Sequence, residues 1–121
     1  MMTNDRVKEA AEWLEQLFDD LTKEPAYEKS GEELMLRVQW EIERLAPELQ
    51  RAVVDAAKLL LLSGDKKKAW DALLLITWMH LKEYIPLLEQ MRKDLRAKRN
   101  AVTKQSLAEV EWALKILKKA S

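Results

Sequence analysis

His80 is the single histidine of the 121-residue sequence and the one side chain whose ordinary pKa suits proton transfer near neutrality. Thr77 lies three residues before it and Tyr84 four after. On a helix that spacing places all three along one polar strip, against a background of Leu, Ile and Met. Trp70 and Trp78 are near enough in sequence to wall a cavity. Together they describe a small-molecule pocket in a helical core. His80 would serve there as nucleophile, general base or single ligand, with the indole faces stacking a flat molecule. A plainer reading puts His80 at the core edge, bonded to a carboxylate such as Glu41, Glu48 or Asp55.

Much other chemistry is excluded by composition. Cysteine is absent, which removes thiol nucleophiles, disulfides, iron–sulfur clusters and Cys-based zinc sites. One histidine cannot supply a zinc site that needs two or three imidazoles. Thr77 stands where a di-iron bundle would need Glu three residues before His. Met79 and His80, being adjacent, point about 100° apart and cannot clasp one haem iron. Glycine occurs only at positions 31 and 64, so no Gly-rich loop can cradle a phosphate. The expectation is no metal and no cofactor.

The elements that would position these residues are helices. Gly and Pro are scarce, two and three residues respectively, and apolar residues recur every three or four. Val7, Ala11, Leu14, Phe18 and Leu21 mark a first helix over about 5–23, ended by Pro25. Ser30 and Glu33 have capping-box spacing before a second run to about 62, which Pro47 interrupts. Ser63-Gly64-Asp65 is the clearest stop and restart. A third segment spans about 66–99 with Pro86 inside it, and Thr103 or Ser106 caps a last helix. The expected fold is all-α: one domain over 1–121, an antiparallel four-segment helical bundle with kinks or breaks near Pro47 and Pro86.

Charge is balanced overall and uneven along the chain. Residues 1–65 carry a net of −7, residues 66–81 +2 and residues 82–121 +5. Acidic first and basic last helices suit neighbours in one bundle. Arg92, Lys93, Arg96, Lys98, Arg99 and Lys104 form a basic cluster, yet the chain is neutral and no aromatic residue is interleaved to stack a base, which argues against nucleic acid. There is no apolar run of membrane-spanning length and no leader-like start, so the expectation is a soluble cytoplasmic protein away from membranes.

Surplus apolar residues point to partners. Leu36 and Trp40 fall opposite the stripe of their helix, as do Trp112 and Ile116 on the last, while Trp13 flanks the first. Leu75, Ile76 and Met79 occupy the back of the third segment, whose 73–79 stretch is apolar nearly all round, as suits either a central helix wrapped by the other three or a surface kept for a partner. Five Trp against one Phe is a balance found at interfaces. The leading expectation is therefore a non-enzymatic module that binds another protein or forms a homo-oligomer through Trp13, Leu36, Trp40, Trp112 and Ile116. Absent cysteine, zero net charge and repeated capping also suit a designed bundle, whereas two Pro inside helical runs and the Leu59–Leu62 run do not.

Overall fold

The computed structural model describes residues 2–23, 31–98 and 101–119. Every regular element among them is helical: α1 (Met2–Thr22), α2 (Gly31–Glu43), α3 (Pro47–Leu61), α4 (Lys66–Trp78), a 3-10 turn (Lys82–Tyr84), α5 (Ile85–Lys98) and α6 (Ala101–Lys119). The chain divides into two compact units, Met1–Ala72 and Leu73–Ser121, with the division inside α4.

Among the described residues six α-helices stand where four segments were expected, because two segments break fully. At the first break Pro47 becomes the opening residue of α3, where its missing N–H costs nothing. Its ring forces Ala46 out of the helical region, to ψ 150°. The freed end of α2 is closed by Gln50, whose side-chain amide donates to Leu45 O at 2.8 Å and Glu43 O at 3.3 Å. At the second break α4 ends at Trp78, well before Pro86, which is only the second residue of α5.

The Ser63–Asp65 stop is built from local polar groups. Ser63 Oγ donates to Leu60 O at 2.8 Å and accepts from Asp65 N at 3.2 Å. Gly64 takes φ 84°, in the left-handed region. Asp65 Oδ1 accepts from the amides of Lys67 and Lys68 at 2.9 and 3.2 Å, the N-cap arrangement. At the other caps, Thr103 and Ser106 sit inside α6, which starts one turn earlier than expected. Pro25 and Ser30 lie outside the described residues.

In the first unit α1 lies on α3, and α2 closes against both. Leu14, Phe18 and Leu21 of α1 are buried with Met35, Val38 and Ile42 of α2 and the Ala52, Val53, Ala56, Ala57, Leu60 set of α3. The small alanines let α1 approach closely, and Phe18 fills the space. In the second unit α5 packs on α6, burying Leu88 with Val110, Ala113, Leu114 and Leu117. Leu73, Leu75, Ile76 and Tyr84 of this unit are buried as well.

Asp65→Ala removes the acceptor for two amides and is expected to lower the unfolding free energy by about 1 kcal/mol in urea melts. Gly64→Ala should cost a similar amount, about 1 kcal/mol, although the added methyl would meet nothing within 4 Å. No loss in either variant would mean that this turn does not hold the two helices apart.

Candidate functional site

The structure takes the expected polar strip apart. His80 lies in the turn after α4, with φ 52°. Its amide donates to Thr77 O at 3.2 Å, and the next amide, Leu81 N, donates to Ile76 O at 3.0 Å. Those two bonds form a Schellman closure, and His80 occupies the left-handed position usually held by Gly or Asn. Its side chain is exposed, so it is not on the flank of an inward stripe. Thr77 is buried, and its hydroxyl donates to Leu73 O at 2.8 Å with Leu74 O at 3.1 Å. That donor is spent inside its own helix. Tyr84 is buried at the end of the 3-10 turn, Trp78 is half-buried, and Trp70, also half-buried, falls in the first unit. Among the described residues every buried side-chain nitrogen and oxygen has a partner, so none is left waiting for a ligand. An open groove of about 510 Å³ runs along α5, lined by Pro86, Glu89, Gln90, Arg92, Lys93 and Arg96. None of the five pocket candidates lines it.

The proposed interface residues separate by exposure. Leu36 and Trp40 are 53% and 46% exposed, one turn apart on α2. The guanidinium carbons of Arg37 and Arg44 stand 4.7 and 4.5 Å from the Trp40 ring centroid. Both arginines also reach Glu41 Oε1, at 3.8 and 3.5 Å. Trp112 is 38% exposed, whereas Ile116, one turn along α6, and Trp13 on α1 are half-buried. Three exposed leucines were missed: Leu49, Leu59 and Leu62. Leu49 shares the helical face of Ala52, Ala56 and Leu60, yet it stands in the first turn of α3 and is exposed there. Leu75 and Ile76, assigned to the back of their segment, are fully buried. Their burial fits the reading of the 73–79 stretch as a helix enclosed on most sides, not as a surface kept for a partner.

A charged cluster unforeseen in the sequence joins α1 to the start of α4. Lys67 Nζ donates to Asp19 Oδ1 at 2.8 Å and to Asp71 Oδ2 at 3.5 Å, and Lys68 Nζ lies 3.5 Å from Glu15 Oε2. The hydrogen bond from Lys67 holds the Asp19 carboxyl below its usual range, and the same bond raises Lys67. Asp71 behaves oppositely. Its side chain is 13% exposed, and burial raises its pKa against the pull of Lys67.

Among the described residues no helix is long and apolar enough to cross a membrane, and no group of three or more His, Asp or Glu could hold a metal ion. No protein-family model, curated protein or solved structure matches the chain.

Two outcomes are expected from these geometries. At His80 the backbone sets the requirement, so His80→Gly should leave stability unchanged or raise it. His80→Val, bulky at positive φ, should cost about 1–2 kcal/mol or more; equal losses in both would restore a role for the imidazole. The acidic cluster should titrate in opposite senses. Asp19, with its lowered pKa, stabilises the fold above about pH 4, and that contribution is lost as pH falls through the folded-state value. Asp71, with its raised pKa, favours the fold when protonated and loses that contribution as pH rises through the folded-state value. Thermal melts should therefore show Asp19→Asn below the parent and Asp71→Asn at or above it at pH 7, with both differences shrinking near pH 3.

Proposed function

We propose that the chain is a non-enzymatic helical module that self-associates through the outward side of α2, with Leu36 and Trp40 as anchors. The observation that carries this reading is the exposed Leu36–Trp40 pair, with Arg37, Arg44 and Glu41 around the indole. An aromatic centre with a charged rim is the composition of an energetic hot spot. A second copy is the occupant because closed symmetric dimers dominate soluble oligomers and use one patch on both subunits. Trp112, with Ile116 beside it, forms a lesser patch on α6, and Trp13 contributes from the edge of α1. The pocket reading through His80 has less behind it: an exposed imidazole at a helix stop and a threonine bonded to its own helix.

Light scattering over about a hundredfold range of concentration, in 0.5 M NaCl, tests the reading. The parent should give a mass above 14.2 kDa that falls on dilution. Leu36→Ser with Trp40→Ser should weaken association by at least about thirtyfold, the worth of one hot-spot side chain of about 2 kcal/mol. His80→Ala should change nothing. A mass of 14.2 kDa throughout would overturn self-association through α2.

A further inference from the structure

The two compact units carry opposite charge. Residues 1–72 hold eleven basic and sixteen acidic side chains, a net of −5; residues 73–121 hold ten and five, a net of +5. In the second unit the charge is concentrated along one seam. Two ion pairs tie α5 to α6: Glu89 Oε1 with Lys118 Nζ at 2.8 Å, and Arg96 Nη2 with Glu111 Oε1 at 3.7 Å. Arg92 lies one turn from both Glu89 and Arg96, and Lys115 one turn from both Glu111 and Lys118. The stretch between the two pairs therefore carries a cation on each helix. The two carboxylates of the seam are already engaged. Lys93 widens the cationic surface into the groove along α5, and neither Lys93 nor Lys115 has an ion-pair partner among the described residues.

The first unit offers the complementary shape. Asp5, Glu9, Glu12, Gln16 and Asp20 follow one another at helical spacing down α1, and all are exposed. Gln16 donates to Asp20 at 2.8 Å, while Asp5, Glu9 and Glu12 engage no cation among the described residues. The outward side of α1 thus carries four carboxylates, with Gln16 among them and the exposed Lys8 at one flank, and the seam of α5 and α6 is a surface whose middle is cationic.

We propose that the α5–α6 seam, with Arg92, Lys93 and Lys115 at its centre, docks the acidic side of α1 from a second copy. The contact is heterologous, head to tail, and does not depend on the α2 patch. Such a contact grows into rings or open chains unless geometry closes it at two copies. Charge complementarity selects α1 as occupant. A nucleic acid would meet no stacking aromatic between 92 and 104, and the chain as a whole is neutral.

The test uses reciprocal charge reversal on the full chain. Lys93→Glu with Lys115→Glu makes one variant, and Glu9→Lys with Glu12→Lys makes the other. All four positions are exposed, and circular dichroism checks that helicity is retained. Lys93→Gln with Lys115→Gln replaces the first variant should the reversal fail to fold. Sedimentation velocity is run from about 0.02 to 0.5 M NaCl, a range over which the screening length falls several-fold. The parent should gain mass at low salt, with association weakening about tenfold or more at the high end. Each reversed variant alone should lose the low-salt gain. Mixing the two should restore it, because each supplies the side that the other lacks. A parent mass independent of salt, or a mixture without restored association, overturns the proposal. So does low-salt binding of a duplex oligonucleotide, abolished by Lys93→Glu with Lys115→Glu, in a chain that does not self-associate. Association through α2 is read at 0.5 M NaCl, where this contact is screened, so either idea can fail without the other.

Discussion

An α-helix ends with carbonyls that have lost their donors, and the groups that close those ends fix where the next helix begins and which side it turns inward. In this chain three such closures set where α2, α3 and α4 end. Gln50 reaches back to the end of α2, Ser63 and Asp65 serve both sides of the turn after α3, and His80 folds the chain over the end of α4. Each is a short-range event, and each sets a phase that persists for a whole helix. Once α3 starts at Pro47, its alanines at 52, 56 and 57 fall on its buried side, and Leu59 falls outside it. The leucine and phenylalanine side chains of α1 then supply burial on the order of 1.5–3 kcal/mol each. Leu59 is exposed by that phase, whereas Leu49 is exposed by its place in the opening turn of α3.

Two of these closures are legible in the sequence because their residues act through the backbone. Proline lacks an N–H and constrains its predecessor, and glycine takes φ 84° without a Cβ penalty, so Pro47 and Gly64 announce their turns. The third is silent. A histidine in the left-handed region has no sequence signature that separates it from a histidine inside a helix, and the residues around it are apolar enough to continue the stripe. Reading through it carries α4 into α5 as one segment and lines up Thr77, His80 and Tyr84 on a face that does not exist. The helical class was legible for the opposite reason. Periodic burial is repeated over many residues, and one missed turn does not erase it.

Electrostatics act here as selectors of neighbours. The pairs joining α1 to α4 and α5 to α6 lie at the surface, with most of their side chains well exposed, where single pairs contribute little to stability. Asp71 shows the limit of that generosity. It shares Lys67 with Asp19, yet its greater burial outweighs the shared cation and turns the same lysine's attraction into partial compensation. One cation can satisfy the exposed carboxylate or reduce the cost of the buried one, and the shorter bond goes to the exposed partner, at 2.8 Å against 3.5 Å.

The five tryptophans differ in what their surroundings do for them, and that difference separates packing from recognition. Trp13, Trp70 and Trp78 are half-buried, so part of each ring already gains the burial that an indole seeks. Trp40 has more than two-fifths of its surface in solvent, and the guanidiniums of Arg37 from its own helix and Arg44 just past its end lie over its ring. Those cations lie over the ring and also pair with Glu41, which restrains them beside the indole. A tryptophan needed only for the core would gain more by turning inward. One held in solvent by its helical phase, with Leu36 a turn away and its charged neighbours already ordered, keeps much of its burial free energy in reserve for association.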